Sequence, residues 1–294
     1  MQKVPTIAGY LQIAEETGKT LSQVVLEAQA EELGKTPEEL KEKMRRNFQV
    51  MLESAQEGEN PELRSASGLT GGAAARVMER TRQGESLCGE YFGKAVARAL
   101  AVSECNACMG RIVAAPTAGS CGILPAALIT VMEEKNLPEE SAVMALFTAA
   151  GIGMVIASNA TVSGAQGGCQ AEVGSASAMA AAAVTEMAGG TAGMCANACA
   201  MALKNVLGLV CDPVAGLVEV PCVKRNVMGV VNALAAAEMA LSGVESVIPA
   251  DEVILAMKRV GNTLPATLRE TAEGGLADTP SGRQIAIRLF GKTK

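Results

Sequence analysis

The stretch AVMALFTAAGIGMVIA, Ala142 to Ala157, decides between two very different folds. No charged residue stands between Glu140 and Glu172, and the stretch is apolar enough to suggest a membrane span. A span needs about 20 apolar residues and usually has basic cytoplasmic flanks. Here the apolar run is shorter, acidic residues flank both sides, and Ser158, Asn159, Thr161 and Gln166 follow it. The segment therefore reads as a fully buried central helix of a globular protein, with no membrane partner.

The composition supports helices packed around it. Apolar residues make up 49% of the 294, yet there is no Trp, and only two Tyr and four Phe. Ala, Val, Leu, Met and Gly carry the apolar content, and such small side chains let helices approach closely. AAARVMERTRQG, SLCGEYFGKAVARALAVSECNACMG, ILPAALITVMEEKN, AEVGSASAMAAAAVTEMAGG, AGMCANACAMALKNVLGLV and VKRNVMGVVNALAAAEMALSG all lack the period-two alternation of strands. PADEVILAMKRVG has a proline near its start, early acids and late bases, as the helix dipole prefers. The fold class is all-α, with at most a short extended piece near RIVAAP.

Thr36-Pro37-Glu38-Glu39 is a helix start, with a Thr cap, Pro in the first turn and Glu closing a capping box. The helix it opens carries Leu40, Met44, Phe48, Met51 and Leu52 on one face. Residues 1–60 are expected to form an N-terminal helical layer. The polar loop EGENPELRSASGLTGG follows, and residues 61–294 form the core, the whole making one continuous domain.

The net charge of −6 and the lack of any strongly basic stretch exclude nucleic acid as a partner. The N-terminal region carries Glu15 and Glu16 and no long apolar run, so no export signal is expected and the location is cytoplasmic. In a reducing cytosol nine cysteines are ligands, reactive groups or small core residues rather than disulfides.

Between the helices lie four nearly uncharged loops: SGLTGG (67–72), APTAGSCG (115–122), SNATVSGAQGGCQ (158–170) and CDPVAGLVEVPC (211–222). Gly-rich turns expose backbone N–H groups that form anion-binding nests. A single such loop is ordinary turn chemistry. Four of them point to one polar pocket for a carboxylate or phosphate.

The cysteines sort into two groups. Cys105 and Cys108 form a C-x-x-C, but inside a helical pattern, without a second pair, and in a chain with no histidine to complete a zinc site. Cys195 and Cys199 sit four apart on a helix and Cys88 near a helix start, so these read as structural; Cys121 lies in a Gly-rich loop. Cys169, Cys211 and Cys222 differ, each standing at a loop–helix junction beside Gly167, Gly168, Gly216, Pro213 or Pro221. Three convergent thiolates without imidazole favour an iron–sulfur cluster over zinc. Three small buried core residues are the competing reading.

GGCQAEVGSASAMAAAA (167–183), GLVCDPVAGLVEVPCVKRN (208–226), APTAGSCGILPA (115–126) and SGLTGG resemble the α-chain of bacterial iron–sulfur L-serine dehydratase. The similarity runs from the N-terminal helices to ETAEGGLADTPSGR, and is to the two-chain type, with a separate β subunit and an oligomeric assembly. The resemblance implies conversion of L-serine to pyruvate and ammonia without pyridoxal phosphate. It also implies a [4Fe–4S] cluster on Cys169, Cys211 and Cys222, with one iron left open. Single-chain relatives can occupy that iron with a C-terminal cysteine; no cysteine follows Cys222 here, so that self-inhibition is not expected.

A base must remove the α-proton, and without histidine the candidates in this chain are Lys224 in PCVKRN and Ser120 in PTAGSCG, a partner-chain histidine being the third option. Ser67, Thr70, Thr117 and Ser120 are the expected binders of the substrate carboxylate. L-cysteine or L-threonine as substrate, and a non-catalytic subunit with structural thiols, remain alternatives.

Overall fold

The computed structural model describes residues 5–291, and among them there is no strand, only an isolated parallel bridge between Cys211 and Arg269. The all-α expectation therefore holds. Among the described residues there are thirteen α-helices: α1 Ile7–Thr17, α2 Leu21–Leu33, α3 Pro37–Gly58, α4 Ala73–Arg82, α5 Gly89–Ala107, α6 Ile123–Glu134, α7 Glu139–Asn159, the single turn α8 Gly164–Gly167, α9 Ser175–Met187, α10 Ala192–Lys204, α11 Cys222–Leu241, α12 Ala250–Thr263 and α13 Pro280–Phe290. The stretch near RIVAAP forms no strand.

The capping chemistry of α3 is as the sequence dictates. Glu39 N–H donates to Thr36 Oγ1 at 3.3 Å, while Thr36 N–H donates to Glu39 Oε2 at 2.8 Å. Helices α2 and α3 then cover the core, α2 lying on α7 and α3 on α5.

The central helix is α9, not α7. Every residue from Ser175 to Thr185 is buried, and α6, α7, α10 and α11 surround the helix. Its alanines make this possible, because a helix enclosed on all sides must be small as well as apolar. Helix α7 is long and apolar enough to cross a membrane, but 61% of its apolar window is already buried inside the protein. Ala150, Gly153, Met154 and Ala157 remain partly or fully exposed. These positions share one stripe of a 3.6-residue period, so α7 flanks the core rather than filling its centre.

Helix α9 is preceded by a π turn, Gln170–Gly174, that runs into it with helical backbone at Gly174 and Ser175. A π turn adds one residue to a helical turn and re-aims the side chains on it. Those side chains belong to the site.

Candidate active site

Three segments bring the junction cysteines together. Cys169 begins the π turn, Cys211 follows the end of α10, and Cys222 is the first residue of α11. Gln170 ties the first two: its N–H donates to Leu209 O at 3.0 Å, and its side-chain Oε1 accepts from Gly208 N–H at 2.9 Å. Cys211 is held on its other side, its N–H donating to Leu268 O and its C=O accepting from Glu270 N–H, both at 2.9 Å. Asn226, one turn into α11, accepts from Gly122 N–H at 2.9 Å and donates to Gly119 O and Cys222 O, fixing the 115–122 loop against Cys222. The turn between Cys211 and Cys222 reverses through Ala215 and Gly216, both left-handed, with φ of 58° and 74°.

The Sγ atoms of Cys169 and Cys211 and a carboxylate oxygen of Glu172 all lie within 4.8 Å of one another. All three thiols are buried. Arg225, three residues beyond Cys222, places Nη1 3.3 Å from Cys169 Sγ and 2.8 Å from Val210 O, and Nη2 2.9 Å from Asp212 Oδ1. Asp212 Oδ2 in turn accepts from Leu276 N–H at 2.8 Å.

These contacts divide the protons. The Cys211 S–H donated to Cys169 holds the Cys169 thiol below its ordinary value against the cost of burial, and Arg225 adds to the effect. Cys211 is pushed up by the same shared hydrogen bond, then by burial. Burial, followed by the charges of Cys169 and Glu172, raises Cys222 to about 12. One thiolate, at Cys169, is therefore the favoured charge, with Arg225 beside it, while Cys211 and Cys222 keep their protons. Burial also raises Glu172, with the Thr117 hydroxyl opposing it.

Glycine shapes the space beside these groups. A Cβ at position 164 would stand 2.4 Å from Glu172 Oε2 and 3.3 Å from Cys211 Sγ; one at position 119 would stand 3.4 Å from Glu172 Oε1. Soft, buried, partly charged sulfur donors lined by side-chain-free backbone suit a soft metal centre better than an apolar core.

Of the other expected residues, Thr117 and Ser120 reach this place. Their hydroxyls are 3.0 Å apart, and Ser120 is fully buried. Lys224 does not: it is exposed, because two residues along α11 lie about 200° around the helix from Cys222. Arg225 has the position that Lys224 was expected to hold. Ser67 is committed elsewhere, its hydroxyl donating to Glu219 Oε1 at 2.8 Å beside a 2.7 Å bond from Ser65 to Oε2. A buried carboxylate there would repel a second one, so Ser67 is a poor receptor for substrate. Thr70 is buried with its hydroxyl unpartnered.

Glu172, Arg225 and Asp212 escaped the sequence reading. Glu172 had a signal: it is the only charged residue between Glu140 and Glu186, and lies three residues from Cys169, on the same helical face. The remaining cysteines behave as core or surface thiols. Cys121, Cys195 and Cys199 are fully buried in the apolar interior, and Cys88 is exposed.

The description "Serine dehydratase alpha chain" belongs to a family whose model matches residues 16–277. The chain is 52% identical over 281 residues to the probable L-serine dehydratase, alpha chain, of Bacillus subtilis (strain 168), covering 96% of this chain and 93% of that protein. It is 46% identical to the L-serine dehydratase, alpha chain, of Peptoniphilus asaccharolyticus, covering 94% of each. The L-serine dehydratase of Streptomyces coelicolor is 39% identical over 91% of this chain, which spans 59% of that longer protein. With matches covering nearly its whole length, the chain belongs to the serine dehydratase alpha-chain family.

Proposed function

We propose that this chain is the catalytic α subunit of a cytoplasmic iron–sulfur L-serine ammonia-lyase. It works with a separate β chain in an oligomeric assembly and without pyridoxal phosphate. The observation that carries the reading is the meeting of Cys169, Cys211 and Glu172 within 4.8 Å, beside Arg225 and the start of α11. Relatives named as alpha chains support the partner and the substrate. The free cysteines suit a reducing compartment. Residues 1–60 and 61–294 act as one continuous domain.

Cys169, Cys211 and Cys222 would hold a [4Fe–4S] cluster, whose chemistry when bound is Lewis acidity toward the departing serine hydroxyl. Everything else is asked of the protein's own groups. Ser120 stands 3.0 Å from Thr117, and Thr117 acts on Glu172, so a proton taken at Ser120 Oγ has a path to the Glu172 carboxylate. The α-proton leaves along that path, its C–H electrons form the C=C bond, and hydroxide departs from Cβ. Returning the proton to hydroxide gives water and resets Glu172. The released aminoacrylate tautomerises to an imine, which water hydrolyses to pyruvate and ammonia. Burial keeps bulk water away from the transfer.

Anaerobic purification tests the cluster: a brown protein whose iron is lost in Cys211→Ala is expected, and a colourless, iron-free protein prepared without oxygen would defeat the proposal. Pyruvate release from serine, dependent on the β chain, tests the reaction. Sulfide from cysteine with nothing from serine would reverse the substrate assignment. Ser120→Ala and Glu172→Gln should each lower kcat by about 10²-fold or more with iron retained. An unchanged kcat in both would remove the relay.

A further inference from the structure

Behind the thiols, on the far side of α8, lies a cavity of about 290 Å³. It is walled by the 160–171 segment on one side and by α12 with Arg269 on the other. None of Cys169, Glu172, Cys211 and Cys222 lines it, so it is separate from the proposed reaction space. Two cationic side chains, Lys258 and Arg269, face it, and no Asp or Glu does.

Both cations also close helix ends. Lys258 Nζ donates to Asn159 O at the end of α7 at 3.1 Å, and Arg269 Nη2 donates to Asn262 O near the end of α12 at 2.8 Å. A helix C-terminus carries roughly −0.5 of a charge, so two of them offset only about half of the two full positive charges. The cavity therefore keeps a net charge of about +1. Donor capacity remains as well. The Gln166 carbonyl accepts from Thr161 at 2.8 Å, which leaves the Gln166 amide N–H groups free to donate. Two cations and a free amide around a cavity that no carboxylate lines favour an acceptor with negative charge.

We infer that this cavity is a binding site for a small oxyanion, a carboxylate or phosphate group held by Arg269, Lys258 and Gln166. Its walls are shared with the reaction site. Gly167 and Gln170 adjoin Cys169, and Arg269 is bridged through its backbone to Cys211, so an anion seated here touches the supports of two of the three thiols. The inference does not rest on the serine reading, because binding is read without turnover.

The test is the unfolding temperature of the full-length chain, titrated with sodium succinate or sodium phosphate against sodium chloride at equal ionic strength. A saturable rise with either oxyanion is expected. Response to succinate alone identifies a carboxylate, to phosphate alone a phosphate group, and to both a general oxyanion site. Arg269→Gln should weaken the apparent affinity at least tenfold. Ala165→Glu, at an exposed position lining the cavity, should do the same without touching the core. It keeps the test decisive if the arginine variant folds poorly. A response no greater than that to chloride, or the same affinity in Ala165→Glu, would overturn the inference.

Discussion

Arg225 sets a full positive charge against the thiol cluster. Its guanidinium joins Cys169, Val210 O and Asp212, and only a fork with several donors could reach all three. Asp212 is buried and would stand unpaired without it. Removing one member of a buried ion pair costs about 3–5 kcal/mol, because the remaining charge loses its compensation. Arg225→Met is therefore expected to destabilise the reduced chain by about 3 kcal/mol, the lower end, since the pair retains some solvent. Arg225→Lys should fall between, restoring charge without the fork. Urea unfolding under nitrogen measures both, and a wild-type midpoint for Arg225→Met would show that the pair has no structural weight. The sequence set Lys224 and Arg225 side by side, and only helix phase separates them: three residues from Cys222 returns to its face, two does not.

At the scale of elements, caps and close crossings decide how the helices meet. Local caps were legible, as at Thr36 and Glu39, because both partners lie within four residues. Three others were not, since the acid comes from a distant helix. Glu104 of α5 accepts from Ala73 and Ala74 N–H at the start of α4, Asp251 of α12 from Ile7 and Ala8 N–H at α1, and Glu186 of α9 from Ser22 N–H at α2. Each places a negative charge on a positive helix end, linking separate elements. The crossing of α3 and α5 depends on Gly58, where a Cβ would come within 1.9 Å of Ala101 O. The obstacle is backbone, so neither helix can yield by a rotamer change. Gly58→Ala is expected to cost about 3 kcal/mol, despite the gain in helix propensity that the same change brings at exposed sites. The denaturant midpoint reads this directly, and a stabilised variant would mean that α3 stands further from α5.

At the scale of the whole molecule, the sequence announced an all-helical fold through its small apolar residues, and announced the cysteines through the loops that carry them. It could not announce which apolar helix is central. Ala142–Ala157 and Ser175–Met187 are both apolar, and only packing shows that the alanine-rich one is enclosed on every side. Glu172 and Asp212 stayed hidden for a related reason, since their roles arise from contacts across the fold. The same dense interior makes the protein sensitive to alkali. Cys121 and Cys199 are buried among apolar side chains, and burial raises both thiols from 9.0 to about 12. A raised thiol means that the folded state prefers the neutral form. Below pH 9 the thiols are neutral in both states and the stability is complete; above it the unfolded chain loses its protons first. Each thiol then removes about 1.4 kcal/mol of stability per pH unit until the folded value is reached. Unfolding free energy measured from pH 8 to 11 should fall with a slope that Cys121→Ala and Cys199→Ala each make shallower by that amount. If the double variant loses stability as steeply as the wild type, the alkaline sensitivity arises elsewhere, and these thiols are not sealed from water as the packing requires.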